Sequence, residues 1–93
     1  MTLEQSMKMM MVTYPDYQAT LDEILTAFKG YTIYGFDDNT YICIVDSLGN
    51  VYATFESIGY DVYQVYDMDY DNVKFAEVAH LWADTITKIQ GGI

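Results

Sequence analysis

The chain contains no arginine, and its only basic side chains besides one histidine are four lysines: Lys8, Lys29, Lys74 and Lys88. Proteins that bind nucleic acid neutralise phosphates with clusters of Lys and Arg. The guanidinium group of arginine is the side-chain group that most often binds phosphate or carboxylate through two hydrogen bonds. The sequence therefore argues against direct binding of nucleic acid.

Cysteine occurs once, at Cys43, so an intramolecular disulfide is excluded. This residue lies in the apolar run 41–45, which predicts a buried thiol in a reducing compartment. No apolar run approaches the roughly 20 residues that span a bilayer, and the N-terminus resembles no secretory signal. We therefore expect a soluble, cytoplasmic protein without a membrane partner.

Groups that carry catalysis are also scarce. The single histidine, His80, and the single cysteine cannot form the clusters of nucleophiles and bases that enzymes use. Carboxylate pairs such as Asp22 and Glu23 arise by chance in so acidic a chain. We expect a protein that is not an enzyme and that holds no cofactor.

Acidic residues are abundant: 14 Asp and Glu give a formal net charge of -10. A field of this sign attracts basic protein surfaces and speeds encounters with them. The chain also has ten tyrosines, more than one small core can bury, and tyrosine is enriched at interfaces. The composition favours a binding protein with a basic partner; acidity that serves only solubility is the alternative.

A single domain over residues 1–93 is expected, because hydrophobic residues make up 52 % of the chain. Helical spacing after Thr2, with Gln5 placed for a capping box, predicts a short first helix. Segment 13–16 predicts the start of a second helix, and Gly30 predicts its end.

Strands are predicted where the hydrophobic period changes to two, at 31–36, 40–45, 51–55 and, as a charged edge strand, 61–66. Short turns between them predict an antiparallel meander. The strand at 40–45 is apolar on both faces, which predicts a central, covered position.

A last helix is predicted over 71–89, from apolar residues at steps of four and three. The expected fold is α+β with two layers: one or two helices, an antiparallel meander of three or four strands, and this C-terminal helix, with all helices on one face of the sheet. The predicted core residues are Leu21, Phe28, Ile42, Ile44, Phe75, Trp82 and Ile86.

Residues 67–72 begin like a calcium-binding loop, with oxygen donors at the first, third and fifth places. However, Asn72 stands where such a loop needs glycine, and Val78 stands at the place of its bidentate glutamate. We therefore expect no metal site, and these aspartates favour the dipole of the last helix instead.

Aspartate and tyrosine are densest between residues 60 and 71. In a strand, side chains two residues apart lie about 6.8 Å apart on one face, so a row of carboxylates there resembles phosphates to a protein that binds nucleic acid. A solvated acidic face is the competing interpretation. The predicted partner-binding residues are Asp37, Asp38, Asp46, Asp61, Tyr63, Tyr66, Asp67, Asp69, Tyr70 and Asp71.

A family resemblance rests on the segment Gly30-Tyr31-Thr32-Ile33-Tyr34-Gly35-Phe36-Asp37-Asp38-Asn39. It resembles the glycine-led first strand and Asp-Asp-Asn turn of phage-encoded, DNA-mimicking anti-CRISPR proteins of type I systems, which are short, acidic and built from helices flanking an antiparallel sheet. The resemblance covers this segment alone and implies an inhibitor in the host cytoplasm. Because the predicted last helix has only Glu77 and Asp84 as acids, mimicry would use the turns and residues 61–71.

Three functions remain open from the sequence. The first is an inhibitor that blocks a basic nucleic-acid-binding surface of a CRISPR effector or a related defence nuclease. The second is an immunity protein or antitoxin against a basic nuclease toxin. The third is a tyrosine-rich adaptor module that pairs with itself as a homodimer.

Overall fold

The structure, a computed structural model, describes residues 2–14, 16–66, 73–81 and 85–91. Its elements are α1 (Leu3–Thr13), α2 (Leu21–Ala27), β1 (Thr32–Phe36), β2 (Tyr41–Val45), β3 (Val51–Gly59), β4 (Val62–Val65), α3 (Phe75–Leu81) and β5 (Ile86–Gln90). The strands form one antiparallel sheet in the order β4-β3-β2-β1-β5. The α+β class is therefore confirmed. No helix in the described part of the chain is long and apolar enough to cross a membrane.

Helix α1 begins at the predicted capping box. The Thr2 hydroxyl accepts a hydrogen bond from the Gln5 N–H at 3.1 Å, and the Gln5 side chain accepts one from the Thr2 N–H at 2.9 Å. Its C-cap is Tyr14, whose N–H donates to the Met10 carbonyl at 3.0 Å. α1 therefore extends into the segment where a second helix was expected to start.

Helix α2 begins at Leu21, so its predicted start at 13–16 is wrong. The Thr20 hydroxyl accepts from the Glu23 N–H at 3.2 Å, while the Glu23 carboxylate accepts from the Thr20 N–H at 2.9 Å. This second capping box satisfies two N–H groups that a helix end leaves without partners. The helix therefore starts at the stronger signal, which lies further along the chain.

Thr20→Ala is expected to lower the free energy of unfolding by about 1 kcal/mol, because the acceptor at the N-cap is lost. Thr20→Ser keeps an acceptor at the same place and is expected to leave stability nearly unchanged. Urea denaturation followed by circular dichroism measures both variants. Equal stability of the Ala and Ser variants would contradict the capping role of Thr20.

The four-stranded meander is confirmed, from β1 through β4. β2 is the central strand, as predicted, with Ile42 and Ile44 buried on one face and Cys43 and Val45 buried on the other. β4 lies at an edge of the sheet, also as predicted. The burial of β2 on two faces follows from the alternation of side chains along a strand.

The C-terminal helix predicted over 71–89 is wrong in its second half. α3 ends at Leu81, and Ile86–Gln90 form a fifth strand, β5, which pairs with β1. The apolar spacing fits a helix, but a strand here pairs the backbone of β1 that a four-stranded meander leaves open. The β-branched residues Thr85, Ile86 and Thr87 also favour a strand.

Helices cover both faces of the sheet, so the prediction of one helical layer is wrong. α1 and α2 lie against the face that buries Ile33, Ile42, Ile44, Ala53 and Phe55. On the opposite face, Phe75 and Val78 of α3 pack against Phe36, Cys43, Val45 and Val51. The reason lies in β2: a strand that is apolar on both faces needs cover on both.

The predicted core is largely confirmed. Three of its residues are fully buried: Phe28, Ile42 and Ile44. Three more are half-buried and pack against the two clusters: Leu21, Phe75 and Ile86. Trp82 lies outside the described residues.

Candidate functional site

The β1–β2 and β3–β4 turns lie at the same end of the sheet, since antiparallel strands reverse direction at each turn. Asp37 and Asp38 occupy the first turn, and Asp61 occupies the second. The Ser57 N–H donates to the Thr40 carbonyl at 2.7 Å. This bond ties β3 to the first turn, so both turns belong to the same end of one sheet.

The first turn of α2 adds further carboxylates to this end of the sheet. The Leu21 N–H donates to Oδ1 of Asp61 at 3.0 Å, which brings the acidic first turn of the helix beside the β3–β4 turn. On β3, Glu56 lies opposite Tyr41, the first residue of β2. The surface is named the acidic end, and it consists of Asp22, Glu23, Asp37, Asp38, Glu56 and Asp61.

All four lysines belong to the described ranges and lie elsewhere. Lys29 follows the far end of α2, and the Nζ of Lys8 lies 5.3 Å from the ring centre of Tyr31, just before β1. Lys74 donates to the Leu48 carbonyl at 3.0 Å, in the β2–β3 turn at the opposite end of the sheet. Lys88 lies on β5, opposite Tyr34 of β1 in the strand register. The acidic end therefore carries carboxylates without a lysine among them.

The β1–β2 turn has an uncommon backbone. Asp37, Asp38 and Asn39 have φ values of 52°, 58° and 64°, all in the left-handed region. Asp and Asn tolerate this region better than other residues with a side chain, which explains why the turn is built from them. Both aspartates are exposed, so their charges are accessible to a partner.

Two other predicted partner-binding aspartates hold the backbone in place. Oδ1 of Asp46 accepts from the N–H groups of Leu48 and Asn50, each at 2.9 Å, and so closes the β2–β3 turn. Asp61, whose φ is 50°, caps the first N–H of α2. The structure places Asp61 at the same end of the sheet as Asp37 and Asp38, and it places Asp46 at the opposite end.

Tyr63, also predicted to bind a partner, is 7 % exposed. Its backbone N–H and carbonyl pair with Ala19 at 2.8 and 3.0 Å, and its hydroxyl donates to the Asn39 carbonyl at 2.9 Å. Burial raises the pKa of this phenol, and the charge of Asp61 raises it further. Tyr63 thus ties β4 to the segment before α2 and to the β1–β2 turn.

Tyr66 is 45 % exposed, and its ring centre lies 5.1 Å from that of Tyr41. Burial raises the pKa of the Tyr41 phenol, and the nearby Tyr66, Glu56 and Asp37 raise it further. Sequence reasoning missed Tyr41 and Glu56 as site residues. The signal that relates them is the register of β2 and β3, which places them opposite each other on one face.

The remaining predicted partner-binding residues lie outside the described part of the chain: Asp67, Asp69, Tyr70 and Asp71. The oxygen donors of the calcium-like loop at 67–72 lie there as well. The site described by the structure is therefore the acidic end, together with Tyr41 and Tyr66.

Cys43 is fully buried, as predicted, and burial raises the pKa of its thiol to about 12. A thiol with such a pKa stays protonated at neutral pH, and the thiolate is the form that reacts. Cys43 therefore belongs to the core and gives the acidic end no nucleophile.

Stability is expected to fall in alkali because of this thiol. In the unfolded chain Cys43 ionises near its ordinary pKa of 9.0, but in the folded chain it keeps its proton up to about 12. Between these values the unfolded state binds fewer protons, so the free energy of unfolding decreases as the pH rises. Denaturation at several pH values should show this decline, and a shallower one in Cys43→Ala. Identical slopes for the two proteins would contradict the assignment.

Comparisons with known proteins identify no relative of this chain. It matches no protein-family model, no curated protein and no solved structure.

Proposed function

We propose that the chain is an acidic inhibitor that binds and blocks a basic nucleic-acid-binding surface of a CRISPR effector or a related defence nuclease. The observation that supports this is the segregation of charge: the acidic end combines four exposed aspartates with two half-buried glutamates, and the lysines lie elsewhere. Such a surface attracts the side chains that hold phosphates and repels nucleic acid itself.

The resemblance to DNA-mimicking anti-CRISPR proteins also concerns this surface. Residues 30–39, which carry the resemblance, contain all of β1 and the turn with Asp37 and Asp38. In the proposed role the protein acts in the cytoplasm of the host cell, where the effector meets DNA. It needs no catalytic group and no cofactor for that role.

The proposed mechanism is competition with nucleic acid for the same basic side chains. Carboxylates of the acidic end take the place of phosphates, and hydrogen bonds between ionised groups are about twice as strong as those between neutral ones. Tyr41 and Tyr66 add aromatic contact area beside the charges, which contributes affinity that screened ion pairs alone do not provide.

The acidic end is also held together by hydrogen bonds within the protein. Three of them join its parts: Ser57 to Thr40, the Tyr63 hydroxyl to Asn39, and Leu21 to Asp61. Groups that are fixed before binding lose less conformational entropy when a complex forms. A preorganised set of carboxylates therefore suits a protein that imitates the regular charges of DNA.

The proposal is tested by competition between this protein and DNA for purified type I effector complexes. We expect the protein to reduce DNA binding by an effector, and the inhibition to weaken as salt is raised above about 0.15 M, since ion pairs are screened. A panel in which every effector keeps its DNA affinity at low salt would contradict the proposal.

An immunity protein against a basic nuclease toxin is the second candidate, because the acidic end fits that partner equally well. The same assay separates the two when nuclease toxins are added to the panel. Inhibition of a toxin, with every CRISPR effector unaffected, would favour the immunity protein.

A further inference from the structure

We infer that the sheet face beside α3 takes an arginine side chain of the basic partner, with its stem across Tyr41 and Tyr66 and its guanidinium group on Glu56 and Asp37. The inference rests on the proposed function and deepens it. It names the residue type that the partner contributes to this surface.

Among the described residues, helix α3 lies over one part of this face of the sheet. Phe75 stacks on Tyr34 with ring centres 4.1 Å apart. Val78 packs in the buried cluster with Cys43 of β2 and Val51 of β3. Toward β4, the rings of Tyr41 and Tyr66 form a pair tilted by 56°. Tyr66 is 45 % exposed and Tyr41 is half-buried, so a partner would reach the pair from the side of Tyr66.

Tyr41 and Tyr66 both contribute to the lining of a small cavity of about 20 Å³. Its lining is mostly apolar and consists of Phe36, Tyr41, Ile42, Cys43, Thr54, Tyr66 and Val78. Long basic side chains bury their methylene stems on surfaces of this kind while the charged head stays at the polar rim. The apolar surface at the two tyrosines, called the floor below, therefore suits the stem of such a side chain.

Carboxylates stand at the rim of this floor. Glu56 lies opposite Tyr41 in the register of β2 and β3, and residues so placed have Cβ atoms about 5 Å apart on the same face. On the opposite edge of β2, Tyr41 pairs with Phe36 of β1, and Asp37 directly follows Phe36. After burial itself, Tyr66, Glu56 and Asp37 are the groups that raise the pKa of Tyr41, which is consistent with their lying around its phenol.

Charge complementarity selects a cation for this surface, and the aromatic rings favour arginine over lysine. A guanidinium group is planar, stacks on aromatic rings and forms paired hydrogen bonds with carboxylates, whereas an ammonium group is a strongly hydrated point charge. The chain itself contains no arginine. A second copy of this protein therefore cannot supply the group, and the occupant must be a different protein.

The test compares two peptides of equal charge, acetylated triarginine amide and acetylated trilysine amide. Each is titrated into the ¹⁵N-labelled protein at low and at higher salt, with NMR shifts of backbone amides and tyrosine rings as the readout. We expect salt-dependent binding of both, with triarginine bound about threefold more tightly or better, as expected for a cation on an aromatic ring. Its largest shifts are expected at Tyr41, Glu56 and Tyr66.

Variants at Tyr66 separate the aromatic contribution from the charge. Tyr66→Ala is expected to abolish the preference for triarginine, and Tyr66→Phe, which keeps a ring, is expected to retain it. Tyr60→Ala is the matched control, because Tyr60 is a fully exposed aromatic residue on the β3–β4 turn. Retention of the preference in Tyr66→Ala would overturn the inference.

The outcomes also distinguish the inference from the proposed function. Equal affinity for the two peptides, or shifts confined to residues other than Tyr41, Glu56 and Tyr66, overturns the arginine site but leaves an acidic surface for a basic partner. A lack of salt-dependent binding by either peptide contradicts both.

Discussion

Binding to the proposed effector is expected to weaken about tenfold or more when Asp37 and Asp38 are both replaced by asparagine. Asparagine tolerates the left-handed backbone at φ values of 52° and 58°, so the variant removes two charges and keeps the turn. An exposed ion pair contributes only about 0.2–1 kcal/mol, but pairs that lose water in an interface contribute several times more. Calorimetry at two salt concentrations measures the loss, and the variant should also show the smaller salt dependence.

The matched control for this variant is Glu4→Gln with Glu77→Gln. Both residues are exposed and lie on α1 and α3, outside the acidic end. Their replacement also removes two negative charges from the net charge of -10. We expect the control to bind the effector nearly as tightly as the unaltered protein. Equal weakening of both variants would show that only the overall charge matters, and the acidic end would lose its special role.

Phe55→Ala is expected to lower the free energy of unfolding by about 3–5 kcal/mol, a large part of the roughly 5–15 kcal/mol that stabilises a domain. Phe55 is 1 % exposed, and its ring centre lies 6.1 Å from that of Phe28 between the sheet and α2. The substitution removes apolar contacts and leaves a cavity that the rigid sheet closes only in part. Guanidinium denaturation measures the change.

Tyr60→Ala is the aromatic control for this stability measurement. Its side chain is 100 % exposed, and surface substitutions usually change stability by less than about 0.5 kcal/mol. A cost below about 1 kcal/mol for Phe55→Ala would contradict the described core.

The meander could be predicted from the sequence because its signals are local. Short runs of β-branched and aromatic residues mark the strands, and turn residues such as Asp37 to Asn39 join consecutive strands. β5 could not be predicted in the same way, since Ile86 and Ile89 fit a helical spacing and their true partner, β1, is distant in sequence. Residues 86–90 form a strand because they pair with the open edge of β1. Such a contact between distant segments cannot be read from a local pattern.

The candidate site was predicted in part for similar reasons. Turn chemistry was sufficient to indicate Asp37 and Asp38 as surface acids, whereas Asp61 was indicated by the density of aspartate and tyrosine in residues 60–71. Tyr63 and Tyr66 were grouped by composition, although side chains three apart in an extended segment point to opposite faces. Strand register would also have been needed to bring Glu56 beside Tyr41.

The pairing of β5 with β1 has a consequence for how the protein is made. Phe36 pairs with Ile86, so about fifty residues must be added before β1 meets its second neighbour, which takes the ribosome roughly 3–10 s at the usual rate of synthesis. During that interval β1 is an edge strand with unpaired backbone groups, which readily pair with another chain. The nascent protein is therefore most prone to misassembly, and has most use for a chaperone, in the seconds before β5 emerges.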